Sequence, residues 1–577
     1  MTSRYIPRST LGRPTLTSRI IRPTPLRFAS RPYSASQSGT SSSSSIRTTA
    51  FLSVAVLTSA FLLYQYETGS SDSTTASPTK GKSLNELYGS KFDLKIRTVR
   101  GVQSYEFMRR SEEEVEKILT ENESGSKEVN RKGNPVIRWD TNWVGSNEPC
   151  EDRFASNLIP RKISASDKNG MSDNKPEIEI GKKDLMLFSI IDGHAGDATS
   201  RLLKTTLHPT ISVALAGLQA GLIPQEENGN TWKYWSEKLN PTSWFYSQSK
   251  VAWNTNNVVR TLQNAYTQLD DHICQSPIKL LPTLKQPSNP SDYPTPIKKL
   301  VALSQPAASG ACAITTFVDS ENQDLYVALA GDCRAVAGWQ TAEGKWRCDT
   351  LTEDQMGENP REVERMQKEH PASERDTVIK GGRVQGGLQP TRAFGDAIYK
   401  WTTAQGNAIA DAFREEGDKP RAVRPWNLTP PYVTAKPEVT YRKLTHENGE
   451  KLKFVIMATD GLWDRLTSEE SVLLTASYLS HPQHNDIPKI ELPKLYPLQE
   501  PLSERPYPVQ ELPQPKDESW AYENDQNAAT HLIRNSLAGA NRKNRAELLS
   551  MTGKVSRWMR DDVTCTVIFF DEPDNKV

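Results

Sequence analysis

Acidic residues at the ends of apolar runs are the part of this sequence best suited to chemistry. The run Leu187–Gly196 reads LFSIIDGHAG, so an apolar strand ends in Asp192, Gly193 and His194. A carboxylate at the end of a strand lies at the rim of a sheet, where a cation can reach it. The carbonyl of Gly193 can approach the same ion because no side chain intervenes, and His194 can carry a proton near neutral pH. Taken alone, the triplet equally indicates a turn that closes a strand.

The same arrangement recurs along the chain. Two more apolar runs end in an acid, Leu325–Asp332 (LYVALAGD) and Phe454–Gly461 (FVIMATDG), and in Arg560–Phe570 (RDDVTCTVIFF) the acids precede the strand. An acid pair, Glu151 and Asp152, comes before the first of these strands. Acids at the ends of several apolar strands indicate a shared oxygen-ligand site for hard divalent ions. Because no Cys or His cluster is nearby, Mg²⁺ or Mn²⁺ is favoured over Zn²⁺.

These motifs resemble those of the metal-dependent PPM-type, or protein phosphatase 2C, family. The matching segments follow the family's order: ED at 151–152, DGHAG at 192–196, GDCRAV at 331–336, TRAFGD at 391–396, ATDGLWD at 458–464 and RDD at 560–562. Within the family the chain is most similar to the mitochondrial pyruvate dehydrogenase phosphatases, on the segments NEPCEDR (147–153), FGDAIYKW (394–401), NAATHLIRNSLAG (527–539) and RDDVT (560–564). The resemblance implies an α+β sandwich in which helices flank two central antiparallel sheets, with the metals at one end.

The resemblance also implies roles for individual residues. It assigns the ligands of two Mg²⁺ or Mn²⁺ ions, which together activate a water for phosphoester hydrolysis, to Asp192, Gly193, Asp460 and Asp561. It implies that Glu151 and Asp152 accept hydrogen bonds from metal-bound water or act as additional ligands. It also implies that Asp332 helps to hold a weaker third metal. His194 is the candidate general acid toward the leaving serine or threonine oxygen; a packed or capping histidine is the alternative.

The position that would bind the substrate phosphate departs from the family pattern. Many members carry an arginine four residues before the acid pair, where this chain has Asn147. Because an asparagine cannot make a bidentate charged contact, phosphate binding must depend on the metals or on another cation. Arg153 is one motif candidate and could equally be a surface residue. Arg392 is another, for which we prefer a structural ion pair with Asp396.

The elements between the acids predict how they are positioned. Helices are predicted at Ser111–Glu123, Asp197–Ala216, Val259–Ile273, Asn359–Lys368, Asn527–Ala538 and Arg542–Met551. A hairpin-like pair of strands is predicted at Ser309–Val318 and Leu325–Trp339, and the proline-rich stretch 276–307 is predicted to be loop. Strands near the acids with helices between them favour antiparallel sheets covered by helices.

The amino-terminal residues resemble a mitochondrial targeting sequence. Residues 1–47 contain eight Arg and no acid, which predicts a transit peptide, and RPYS at 31–34 resembles a matrix-protease site that would cut after Tyr33. Residues 48–64 carry no charge and are predicted to span the inner membrane. The acids that follow favour a catalytic domain in the intermembrane space; a matrix location is the alternative if the segment is translocated whole.

The rest of the chain divides into three predicted parts. Residues 65–135 form a linker and an N-terminal helical extension, and 136–571 form the phosphatase domain. That domain carries insertions near 222–308, 400–435 and 481–525, and a tail follows at 572–577. The six cysteines have no CxxC spacing and are predicted to be reduced packing residues.

Charge excludes one class of partner. Eight of the 71 Lys and Arg residues lie in 1–47, so the remaining chain has 63 basic and 70 acidic residues and a net charge of −7. A mildly acidic protein of this kind is not expected to bind nucleic acid.

The sequence therefore predicts a mitochondrial metal-dependent serine/threonine protein phosphatase. Its closest resemblance implies the phosphorylated E1α subunit of pyruvate dehydrogenase, or a related phosphoprotein, as substrate. A catalytically weak phosphatase fold that acts as a binding module is the first alternative, and the presence of Asp192, Asp460 and Asp561 argues against it. A small-molecule phosphoesterase is the second; the long insertions favour a protein substrate instead.

Overall fold

The computed structural model describes residues 90–98, 101–129, 131–146, 148–160, 183–221, 253–285, 294–414, 426–444, 449–480, 485–499 and 519–571. The predicted transit peptide, the apolar segment 48–64, the tail and Asn147 lie outside these residues. Within them, no helix is both long and apolar enough to cross a membrane.

Strands make up both central layers of the fold. The strands of the described residues are β1 (Lys91–Thr98), β2 (Gly101–Met108), β3 (Ser124–Glu128), β4 (Val136–Val144), β5 (Arg153–Ile159), β6 (Leu185–His194), β7 (Gly310–Asp319), β8 (Asp324–Ala330), β9 (Arg334–Gln340), β10 (Trp346–Thr350), β11 (Ile379–Lys380), β12 (Arg383–Val384), β13 (Phe394–Gly395), β14 (Glu438–Lys443), β15 (Lys451–Ala458), β16 (Ile487–Pro488), β17 (Ser519–Trp520) and β18 (Val563–Phe570). One antiparallel sheet has the order β10–β9–β15–β18–β4–β3. The other has the order β14–β8–β7–β6–β5, with β13 paired to β7.

Helices cover the outer faces of both sheets. The α-helices of the described residues are α1 (Glu112–Thr120), α2 (Ala198–Gln219), α3 (Thr255–Leu280), α4 (Pro296–Ala308), α5 (Pro360–Glu369), α6 (Thr403–Ala412), α7 (Asp460–Trp463), α8 (Ser468–Ser480), α9 (Leu492–Leu495), α10 (Ala528–Ser536), α11 (Arg542–Ser550) and α12 (Gly553–Met559). The predicted α+β sandwich of two antiparallel sheets flanked by helices is confirmed.

Strand β6 shows why these sequences form a four-layered core. Side chains alternate between the faces of a strand, so Met186 and Phe188 pack between the two sheets while Leu187 and Ile191 pack against α2 and α3. Both faces are buried, which explains the continuous apolar run. Strand β15 in the other sheet behaves in the same way. The strands that carry the acids are therefore fixed on both sides.

Most predicted helices are confirmed, and local capping explains their ends. Ser111 caps α1 in a capping box with Glu114, a pattern that satisfies two otherwise unpaired N–H groups. Asn359 caps α5 and Asn527 caps α10 through their side-chain oxygens. All six cysteines are free, as predicted.

Two predicted elements are wrong. The stretch 276–307 is not loop in its described part, because α3 continues to Leu280 and α4 begins at Pro296, where a proline at the first helical positions is tolerated. The run Leu325–Trp339 is not one strand: it breaks at Gly331, whose φ is +123°. Its two halves, β8 and β9, belong to different sheets.

Candidate metal and catalytic centre

Three predicted site residues converge where the two sheets meet. Oxygens of Asp192, Asp332 and Asp460 lie within 4.8 Å of one another. Asp192 lies near the end of β6, Asp332 follows β8, and Asp460 begins α7 directly after β15. Since β6 and β8 belong to one sheet and β15 to the other, the acids lie at one end of the sandwich and join both sheets.

The electrostatics of this cluster fit a divalent cation. The pKa values of Asp192 and Asp460 are raised well above their usual range, first by burial and then by the neighbouring carboxyl groups. Among the described residues, the buried Oδ1 of Asp460 has no hydrogen-bond partner, and such an atom is costly unless something binds it. An all-oxygen donor set with excess negative charge suits Mg²⁺ or Mn²⁺.

Asp332 and Asp561 differ in their relation to this acid cluster. Asp332, predicted for a weaker third metal, is part of the three-carboxylate cluster. Asp561 lies beside it: its Oδ2 contacts Nη1 of Arg557, and its Oδ1 accepts a hydrogen bond from the Asp562 N–H at 2.7 Å. Burial raises the pKa of Asp561, and Arg557 opposes that effect. Its assignment as a ligand stays a prediction.

The acid pair is held by the elements around it. Oδ2 of the buried Asp152 accepts hydrogen bonds from the hydroxyls of Thr459, at 3.0 Å, and Thr564, at 2.8 Å. Glu151 Oε1 accepts the Gly196 N–H at 2.7 Å. Both carboxylates are thus held in place by these hydrogen bonds.

Gly193 is required by the close approach of two backbone segments. A Cβ at this position would clash with the carbonyl oxygen of Glu151 and meet the Ser200 hydroxyl at 2.8 Å. The strand end after Asp192 therefore packs directly on the acid pair, which a larger residue would force apart.

His194 forms a pair that the sequence did not reveal. Its Nε2 lies 2.7 Å from Oδ2 of Asp396. Strand β7 sets this distance, because Gly310 lies opposite both His194 of β6 and Gly395 of β13, and a Cβ on Gly310 would clash with both polar groups. Burial alone would lower the pKa of His194, but the Asp396 carboxylate reverses the shift and the pKa is raised.

Of the two residues predicted to bind phosphate, Asn147 and Arg153, the structure describes Arg153. Asn147 lies outside the described residues. Arg153 donates to the carbonyls of Cys150 and Asp152 at 2.7 and 2.6 Å and to Asp197 at 2.9 Å, an arrangement that favours a structural role.

The predicted ion pair between Arg392 and Asp396 is wrong. Arg392 pairs with Glu362 at 2.6 Å and Glu438 at 2.9 Å, because Asp396 is already bound to His194. Arg392 therefore has a structural role, as preferred, but with Glu362 and Glu438 as its partners.

Sequence reasoning also missed two acids that lie inside the recognised motifs. Asp562, the second acid of RDD, accepts hydrogen bonds from the Ser146 N–H at 2.5 Å and the Glu151 N–H at 2.8 Å. Asp464, the last residue of ATDGLWD, has its pKa raised to about 6 by burial and then by Asp561. The motifs contained both residues, but their partners are distant in sequence and gave no local signal.

Comparisons with known proteins cover most of the chain. Residues 283–487 match the profile of a family described as Protein phosphatase 2C. A protein phosphatase 2C homolog of Schizosaccharomyces pombe is 32% identical, over 77% of this chain and 82% of its own.

Two further relatives carry more specific names. The mitochondrial pyruvate dehydrogenase (acetyl-transferring)-phosphatase 1 of Saccharomyces cerevisiae is 32% identical, over 77% of this chain and 70% of its own. The mitochondrial phosphatase 2 of the same description from Homo sapiens is 29% identical, over 80% and 83%. Among solved structures, serine-threonine phosphatase 2C from Toxoplasma gondii aligns with 78% of this chain and 99% of its own, at 15% identity and a TM-score of 0.38.

Proposed function

Since this chain belongs to the protein phosphatase 2C family and is a serine/threonine protein phosphatase, we propose that it dephosphorylates a mitochondrial phosphoprotein with the help of Mg²⁺ or Mn²⁺. The observation that carries the proposal is the convergence of Asp192, Asp332 and Asp460 beside the pair of His194 and Asp396. The intact acid cluster favours an enzyme over a binding module.

The carboxylates are proposed to hold the ions. The ligand set is Asp192, the carbonyl of Gly193, Asp460 and Asp561, with Asp332 close by and with Glu151 and Asp152 as further acceptors. When bound, two such ions supply an activated water at neutral pH and neutralise phosphoryl charge. Because Thr459 and Thr564 hold the Asp152 carboxylate in place, this acceptor needs no reorganisation during the reaction.

His194 is proposed to protonate the leaving serine or threonine oxygen. Asp396 accepts from one ring nitrogen, Nε2, so Nδ1 is the nitrogen that can donate to substrate. The same carboxylate stabilises the protonated imidazolium that an acid must provide. Asp396 acts through His194 and is therefore a positioning residue.

The relatives' names support a specific substrate class. The yeast and human relatives are named as phosphatases of pyruvate dehydrogenase, and we infer the phosphorylated E1α subunit or a related phosphoprotein for this chain. Deleting the protein should raise phosphoserine on E1α, measured by mass spectrometry of isolated mitochondria, and re-expression of the intact chain should reverse the rise.

An Asp460→Asn chain provides the matched control for that complementation. It should fail to lower E1α phosphorylation because it lacks a proposed metal ligand. If E1α phosphorylation is the same with and without the protein, the substrate proposal is refuted while the family assignment stands.

The location of the catalytic domain is a separate proposal. Residues 1–47 support import into mitochondria, and 48–64 are proposed to anchor the chain in the inner membrane with 65–577 in the intermembrane space. That location separates the domain from a matrix E1α, so this proposal and the E1α proposal hold together only if the domain meets its substrate before import or outside the matrix. With the domain in the intermembrane space, external protease should digest it once the outer membrane is ruptured. Protection under those conditions would contradict the proposal and support the matrix alternative, which gives direct access to a matrix E1α.

A further inference from the structure

The first observation concerns the cations near the acid cluster. Arg153 is bound to two carbonyls and to Asp197, and Arg392 is bound to two glutamates. Arg560 is buried and donates to the carbonyl of Gly145 at 2.8 Å. The partners of all three arginines are backbone carbonyls or carboxylates other than Asp192, Asp332, Asp460 and Asp561. Arg153 and Arg392 are thus accounted for by the packing of the fold. Arg560 keeps one Nη1 without a hydrogen-bond partner among the described residues, but the residue is only 9% exposed.

Arg557 is placed differently. It lies on α12, one turn before the RDD motif, and its Nη1 contacts Oδ2 of Asp561. Its side chain is 42% exposed, against 7% for Arg392 and 20% for Arg153. A guanidinium has five N–H donors in a planar fork. Among the described residues the contact of Arg557 is with Asp561 through Nη1, which leaves other donors that can reach a ligand arriving from solvent.

The charge of Arg557 interacts with acids besides Asp561. Burial lowers its pKa, but the carboxyl groups of Asp561, Asp460 and Asp562 raise it overall. In turn, Arg557 lowers the pKa of Glu151, although burial raises that pKa overall. The guanidinium is therefore electrostatically coupled to acids on three separate elements, and it lies at the end of the sandwich where a phosphomonoester must bind.

We propose that Arg557 binds the phosphoryl group of the substrate and so replaces the arginine that this chain lacks at Asn147. The proposal rests on the phosphatase function and adds a substrate-binding residue to it. A phosphomonoester carries two charges near neutral pH and presents oxygens that match the guanidinium fork. The contact with Asp561 keeps the fork beside the acid cluster.

The test compares Arg557→Gln and Arg557→Lys in the full chain loaded with Mn²⁺. The matched control is Arg542→Gln, because Arg542 on α11 is similarly exposed, at 45%, and paired with Asp486. Calorimetry measures the binding of inorganic phosphate, and kinetics on a phosphoserine peptide separates KM from kcat. Binding of Mn²⁺ is measured in parallel.

Arg557→Gln should weaken phosphate binding and raise KM for the peptide by roughly 10- to 100-fold, the range for a hydrogen bond to a charged group. The phosphate affinity and the KM of Arg557→Lys should lie between those of the unaltered chain and those of Arg557→Gln, since an ammonium keeps the charge without the bidentate geometry. Arg542→Gln should behave as the unaltered chain.

Unchanged phosphate affinity in Arg557→Gln at saturating Mn²⁺ would overturn the proposal, as would a change confined to Mn²⁺ binding. If the glutamine variant does not fold, unchanged phosphate affinity in Arg557→Lys overturns it equally. Phosphate calorimetry needs no turnover, so failure of the unaltered chain to hydrolyse any phosphopeptide would count against the phosphatase function alone.

Discussion

Replacing Asp460 by asparagine is expected to lower hydrolysis of a phosphoserine peptide by roughly 100-fold or more, because the proposed ions generate the nucleophile. Asp460 offers a buried oxygen with no hydrogen-bond partner among the described residues, in a cluster with Asp192 and Asp332. The amide keeps the shape of the side chain and removes its charge. The measurement is kcat/KM at saturating Mn²⁺, and chelation with EDTA should abolish the activity of the unaltered chain.

A loss of activity caused by unfolding can be distinguished from a loss of activity caused by weaker metal binding. Without a cation, burial and then the neighbouring carboxyl groups raise the pKa of Asp460, so replacing it by a neutral asparagine should leave the thermal stability in EDTA unchanged or higher. Asp411→Asn serves as control, since Asp411 on α6 is 58% exposed and lies in an ion pair with Arg414. Full activity in EDTA would contradict the two-metal proposal.

Replacing His194 by glutamine is expected to slow hydrolysis of a phosphoserine peptide by roughly 10²- to 10⁴-fold, the usual contribution of a general acid. The same variant should lose far less activity on p-nitrophenyl phosphate, because nitrophenolate leaves without a proton. The two substrates are compared at the same metal concentration. Any disturbance of the neighbouring Asp192 or Gly193 should then lower the activity on both substrates equally.

The pair of His194 and Asp396 sharpens this test. Asp396→Asn removes the carboxylate that stabilises the imidazolium and should reproduce the same substrate preference with a smaller loss. His272→Gln is a matched control, since His272 is an exposed histidine on α3. Equal losses on both substrates in His194→Gln would instead identify a structural histidine.

The acids at strand ends were predictable because a strand and the acid that terminates it are adjacent in sequence. A continuous apolar run and the turn after it are local signals, and β6, β15 and β18 follow them closely. Helix ends were predictable for the same reason, through capping residues such as Ser111. Local patterns therefore predicted most elements and the three acids that converge, Asp192, Asp332 and Asp460.

Pairings between distant residues were not predictable in this way. His194 and Asp396 are brought together by β7, which pairs with β6 on one side and β13 on the other. The true partners of Arg392, Glu362 and Glu438, likewise lie on other elements. The prolines between 276 and 307 suggested loop, yet tertiary packing places Pro277 and Pro306 inside helices.

The three hydrogen bonds to Asp562 have a consequence for the entropy of substrate binding. Its carboxylate accepts hydrogen bonds from the backbone N–H groups of Ser146 and Glu151 and from the Ser146 hydroxyl, so one side chain directly before β18 fixes Ser146, which follows β4, and Glu151, which precedes β5. Backbone freedom there is lost when the protein folds. It does not have to be lost again when a phosphoprotein binds, and a surface ordered in advance binds its ligand at a smaller entropic cost.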